Sequence, residues 1–200
     1  MAFDDQPGDH VYVDRHGHTW ERGPSDPPRL IDGPGTFVEV DIDAPLARVW
    51  DIVTDIGFGA RFSEEFAGAR WVDGATGPAL GACFVGTNRH PAMGEWEVPC
   101  FVDRYVEHAE FGWRTSDPDR PGARWCFVLG RLDGVTHLRY TLGLGPGPSR
   151  IDDVIARMPD KEHRIIRARL DEHRANMQRV ADGVAAAATG AESGPSNPAS

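Results

Sequence analysis

One long amphipathic helix follows an unbroken run of strand-like segments, and that order leaves few ways to build a core. In RIIRARLDEHRANMQRV (164–180), Ile166, Leu170, Met177 and Val180 fall on one face of an α-helix. His173 lies in the middle of that apolar stripe. Upstream, TFVEVDI (36–42) alternates as a strand does, with Val38, Val40 and Ile42 on one side. APLARVWDIVTDI then places Leu46, Val49, Trp50 and Val53 at helical spacing, with Pro45 suited to a first turn. GFGARFSEEF reads as a second short helix or turn. Extended runs follow at GARWVDG, ALGACFVGTNRH (79–90), MGEWEVPCFVDRYVEH (93–108), EFGWRTS, ARWCFVLGRLDG and THLRYTLGLG (136–145), joined by turn sequences such as SDPDRPG and LDGVT. Ser149 with Asp152 has the spacing of a capping box opening a short helix, IDDVIARM, which Pro159 interrupts before the long helix from about 160 to 187. Consecutive strands pair as an antiparallel sheet, and one helix covers one face of it. A sheet that curls around such a helix leaves a gap between the two.

The rest of the chain adds limits more than features. Two hundred residues suit one domain. We divide it into a flexible N-terminal arm (1–35), a folded domain (36–186) and a disordered tail (187–200), because both ends lack apolar periodicity. A net charge of −10 excludes a general nucleic-acid binder, which needs a basic face, but is compatible with a neutral or apolar ligand. No stretch approaches 18 apolar residues and the start is acidic, so no stable membrane insertion and a cytoplasmic location are expected. Cys83, Cys100 and Cys126 lack CxxC spacing, so neither disulfides nor a zinc site is indicated. His10, His16 and His18 have metal-like spacing but lie in the arm with no matching carboxylate, so no metal is expected. GLGPGPS (143–149) lacks the spacing and the lysine of a phosphate loop. No cofactor is expected.

Five stretches carry a resemblance: VEVDIDAPLARVWDIVTDI (38–56), LGACFVGTNRH (80–90), GEWEVPCFV (94–102), FGWR (111–114) and LDEHRANMQRV (170–180). They resemble a bacterial subgroup of the START-like, helix-grip superfamily, also called SRPBCC, which includes polyketide cyclase/dehydrase-like and lipid-transfer proteins. The resemblance spans about residues 36 to 185. It implies an α+β helix-grip fold in which a curved antiparallel sheet of about seven strands surrounds the C-terminal helix, with two short helices after the first strand and an apolar cavity inside.

Strand alternation then nominates the side chains facing that cavity. Trp96, Val98, Cys100 and Val102 form the apolar side of their strand. Phe84, Gly86 and Asn88 share a face, with Cys83, Val85 and Thr87 as the rival set. Phe111 with Trp113, Trp125 with Phe127 and Leu129, and Leu138 with Tyr140 and Leu142 complete the sheet. Ile155 and Met158 come from the short helix; Ile166, Leu170, His173, Met177 and Val180 come from the long one. The expected ligand contacts are Phe84, Asn88, Trp96, Val98, Cys100, Phe111, Trp113, Trp125, Phe127, Leu138, Tyr140, Met158, Ile166, Leu170, His173 and Met177.

His173, Tyr140 and Arg169 are the candidates for proton transfer. His173 either satisfies a buried partner such as Tyr140 or Asn88, or gives a ligand one polar contact. Arg169 either pairs with Glu162, meets a ligand carboxylate, or snorkels to solvent. The expected function is binding of a small hydrophobic, lipid- or polyketide-like molecule. A polyketide cyclase/dehydratase-type enzyme and a protein-interaction or stress-regulatory module are the alternatives.

Overall fold

The computed structural model describes residues 11–13, 19–21, 29–91, 94–147 and 149–191. Two short strands, β1 (Val11–Val13) and β2 (Thr19–Glu21), pair as a hairpin. The main strands are β3 (Gly35–Ile42), β4 (Phe66–Val72), β5 (Cys83–His90), β6 (Gly94–Val106), β7 (Glu110–Thr115), β8 (Ala123–Leu132) and β9 (Val135–Leu144). They form one seven-stranded antiparallel sheet in the order β3-β9-β8-β7-β6-β5-β4. The chain runs β4 to β9 as a meander, and β3 closes the far edge by pairing with β9. Between β3 and β4 lie α1 (Leu46–Val53) and a 3-10 turn at Phe58–Arg61. After β9 come α2 (Arg150–Arg157) and the 28-residue α3 (Glu162–Thr189), which lies against β3, β9 and α1. This is the α+β helix-grip arrangement expected from the order of elements.

Local chemistry accounts for the boundaries. The Asp152 carboxylate accepts the backbone N–H of Ser149 at 2.8 Å and its hydroxyl at 2.6 Å, which opens α2. Pro159 starts the 3-10 turn that separates α2 from α3, and Gly190 ends α3 in the left-handed conformation (φ 76°). Ile166, Leu170, Met177, Val180 and Val184 of α3 are buried together with Val49, Trp50 and Val53 of α1 and the inner residues of the sheet. Two bulges interrupt the strand alternation. In β4 the register steps between Phe66 and Gly68; in β6 it steps between Val102 and Arg104.

The β1–β2 hairpin falls within the span read as an arm, and the β1 backbone approaches β3 and β9. His10, His16 and His18 lie outside the described residues, as does most of the tail. No described helix is long and apolar enough to cross a membrane.

Candidate functional site

A cavity of about 140 Å³ lies between the concave side of the sheet, the C-terminal half of α3 and the segment from α1 to β4. Its floor is a continuous aromatic band. Trp113 and Trp125 face each other directly across β7 and β8, with rings 12° from parallel and centroids 6.4 Å apart. Phe84 meets Trp113 at 5.8 Å, Phe111 meets it at 5.5 Å, and Phe127 stacks on Tyr140 at 4.0 Å. Such pairs contribute roughly 0.5–1.5 kcal/mol each beyond area burial, so the band is a rigid surface.

Two polar side chains pack directly on its Trp125 ring. Tyr140 on β9 and His173 on α3 are each 8% exposed, and both line the cavity. Both rings pack on Trp125: Tyr140 at 5.7 Å, and His173 edge-on at 5.3 Å and 85°. Neither has a side-chain hydrogen-bond partner among the described residues. His173 therefore does not satisfy Tyr140, Asn88 or a buried carbonyl; its side chain lines the cavity without a hydrogen bond to the described residues. Burial, and next the charge of Arg169, hold its pKa well below the ordinary histidine value of 6.5, so the imidazole is neutral. Burial likewise pushes the Tyr140 phenol upward, keeping it protonated.

The His173 shift has a consequence for stability. An unfolded chain protonates this residue near pH 6.5 and the folded chain resists it, so the unfolded state binds the extra proton and stability falls as pH drops below that value. The limiting slope from one such group is about 1.4 kcal/mol per pH unit. His173→Leu should therefore leave stability at pH 7.5 nearly unchanged and flatten its decline below pH 6.5. Urea titrations at several pH values check both. A clear loss of stability at pH 7.5 would instead reveal a structural partner, since leaving one unsatisfied costs about 1–3 kcal/mol.

Arg169 occupies a different place from any foreseen. Its Nη1 and Nη2 donate to Oε2 and Oε1 of Glu65 at 2.6 and 2.5 Å, a bidentate pair, and Nη1 also reaches Glu172 at 3.1 Å. Glu162 instead accepts the backbone N–H of Leu30 at 2.9 Å. Glu65 lies on the cavity wall, so the pair fastens the segment before β4 to α3. Two further contacts fasten the same segment: the Glu64 N–H donates to Asn176 Oδ1 at 3.0 Å, and Arg179 Nε donates to the Phe62 carbonyl at 3.3 Å.

Of the expected contacts, Phe84, Asn88, Val98, Cys100, Phe111, Trp113, Trp125, Phe127, Tyr140, His173 and Met177 stand on the cavity wall. Phe84, Gly86 and Asn88 face inward, and the rival set Cys83, Val85 and Thr87 does not. Burial raises the Cys100 thiol to about 12, which leaves it inert.

Five expected contacts stand elsewhere. Trp96 shares the inner face of β6 but lies past the cavity, where Arg150 covers its ring at 5.0 Å. Leu138 and Ile166 are fully enclosed in the core, and Leu170 is buried there too. The cavity begins at His173, so the first turns of α3 cover solid packing. Met158 is 36% exposed where the chain turns from α2 into α3.

Sequence reasoning missed the other wall: Phe58, Ser63, Glu65 and Phe66, with Ile52 and Ile56 near the end of α1. The bulge hides Phe66. It lies opposite Asn88, while Ala69 and Trp71 lie opposite Gly86 and Phe84; the inner positions are thus 66, 69 and 71. Strict alternation from Trp71 would put Phe66 outside. Gly68, a glycine inside a strand, is the signal that marks such a break.

A family model described as polyketide cyclase/dehydrase and lipid transport matches residues 37–182. Among solved structures, the chain is similar to a polyketide-cyclase-like protein of Corynebacterium glutamicum, with a TM-score of 0.53 and 23% identity over 82% of this chain and 91% of that one. It is also similar to a protein of Thermus thermophilus, with a TM-score of 0.53 and 13% identity over 80% and 100% of the two chains. A third is the di-domain ARO/CYC StfQ of the steffimycin biosynthetic pathway, with a TM-score of 0.59 and 9% identity over 78% of this chain and 51% of that one. No curated protein matches the chain. At these identities the likeness to solved structures is one of fold.

Proposed function

The chain belongs to the polyketide cyclase/dehydrase and lipid transport family, and on that footing we propose that it binds a small hydrophobic molecule in the cavity between the sheet and α3. The observation that carries this reading is the pair Tyr140 and His173, two buried polar groups without protein partners among the described residues, set in an aromatic wall. A solid core satisfies its buried polar groups internally. A binding site keeps a few of them for its ligand.

Trp113 and Trp125 make occupancy readable by fluorescence. Titration with 4-nitrotoluene, a neutral single-ring quencher, should give a saturable component. Gly86→Val should remove it, because a Cβ there meets only ordinary contacts (Val98 at 3.6 Å and Phe66 at 3.7 Å) and the added methyls enter the cavity. Linear quenching with no saturable part, the same in both proteins, would mean that nothing enters. Native mass spectrometry of freshly purified protein would give the mass of any molecule carried through purification.

Catalysis is the second reading, since His173 and Tyr140 bring two titratable side chains to one wall, although the burial that keeps the imidazole neutral also makes it a weak base. It also ranks second because Glu65, one of the two carboxylates on the wall, is already bound by Arg169.

A further inference from the structure

We infer that the ligand is an uncharged single-ring aromatic carrying a hydroxyl group, a phenol, held with its ring against Trp125 and its hydroxyl between Tyr140 and His173. This rests on the reading that the cavity binds a small molecule, and it adds size, charge and polarity.

Size comes from the volume. A cavity of about 140 Å³ is close to the roughly 150 Å³ of an engineered apolar cavity that takes up benzene. It is well below the roughly 300–1,000 Å³ of sites for drug-sized ligands. The aromatic band admits a flat ring, and beside Trp125 it offers the polar atoms of Tyr140 and His173.

Charge comes from the wall. Its charged side chains are Asp55 and Glu65, both carboxylates. The nearby guanidinium, Arg169, has both arms engaged by Glu65 and a further contact to Glu172. An anionic ligand would enter a low-dielectric space without a free cation and beside an existing carboxylate, a costly transfer. A cationic ligand would have to draw Glu65 away from Arg169.

Polarity comes from the two free groups. The Tyr140 hydroxyl donates one hydrogen bond. The neutral imidazole has one acceptor nitrogen and one N–H. A ligand hydroxyl matches both at once: it donates to the acceptor nitrogen of His173 and accepts from Tyr140. An aldehyde or ketone could accept but not donate, leaving the His173 acceptor unsatisfied. A plain hydrocarbon would strand both groups. A site built to bond a hydroxyl rejects the analogue without one for that reason.

Three probes that share one tolyl ring test this on the full chain at neutral pH by titration calorimetry: p-cresol, toluene and p-toluate. We expect p-cresol to bind at least tenfold more tightly than toluene, and p-toluate to bind at least a hundredfold more weakly than p-cresol. Tyr140→Phe, which keeps the ring and its packing, should bring p-cresol down to the affinity of toluene, and His173→Leu should do the same. Equal affinity for p-cresol and toluene would overturn the hydroxyl assignment. So would a p-cresol preference that survives both substitutions. Tight binding of p-toluate would overturn the charge argument. If 4-nitrotoluene and larger apolar compounds bind while p-cresol does not, the phenol inference fails and the binding reading stands. If none of these compounds binds, both fail.

Discussion

Leu138→Ala is expected to cost about 2–5 kcal/mol of stability and to leave ligand affinity nearly unchanged. Leu138 is fully enclosed on β9, opposite Val40 of β3 and Leu129 of β8, and it stands off the cavity wall. Truncation opens a void among branched side chains that are fixed by two neighbouring strands, so little collapse can fill it. Two residues on, Tyr140 shares the same face of the same strand and does line the cavity. Tyr140→Phe removes one oxygen atom that has no protein partner, so its stability effect should be below about 1 kcal/mol. Denaturant midpoints and ligand titrations on the two variants form a crossed test: one changes stability alone, the other affinity alone. A Leu138→Ala protein of native stability would show that this part of the core is not closely packed.

The second large effect is at the ion pair. Arg169→Met leaves the Glu65 carboxylate on a mostly apolar wall without its counter-charge. The two side chains are only 16% and 12% exposed, so water replaces little of what is lost. Breaking a buried pair from one side costs about 3–5 kcal/mol; the residual exposure lowers our expectation to about 2–4 kcal/mol at pH 7. The variant also loses a charge that helps keep His173 neutral. Replacing both partners, Glu65→Met with Arg169→Met, should recover most of the loss, because two apolar side chains need no pairing. A double-mutant cycle by urea denaturation checks this: a double variant as unstable as Arg169→Met alone would mean that the arginine stem, not the charge pair, carries the effect.

These residues also show what could be read without coordinates. The fold was legible because meandering strands followed by one amphipathic helix have few solutions, and α3 displays its buried stripe directly. The inner faces of β7, β8 and β9 were legible because alternation there runs unbroken from end to end, whereas β5 carries apolar residues on both faces and left two sets open. Phe66 escaped for the opposite reason: it lies beyond a bulge, where the inward face changes parity. Glu65 escaped because its partner is 104 residues away, and no local pattern links a carboxylate in a turn to an arginine on a helix. Leu138, Ile166 and Leu170 were placed on the correct face. Periodicity tells which side of an element is buried, not whether packing or a cavity lies beneath it. The role of His173 was undecidable for the same reason, since a satisfied imidazole and a free one have identical spacing.

The β4 bulge has a consequence for how this sequence can vary. Substitutions in the strand change one side chain at a time. Deleting Ala67, the extra residue between the pairs Phe66–Asn88 and Gly68–Thr87, would remove the bulge and leave Phe66 next to Gly68, so strict alternation alone would then carry Phe66 to the inner face. Phe66 would keep its place opposite Asn88, and Glu65 its line to Arg169. Losing the bulge at full length does the opposite: strict alternation would turn Phe66 to solvent, and the cavity would lose that wall. In related chains, a gap of one position here is thus compatible with the same interior, while an unbroken strand of the same length is not.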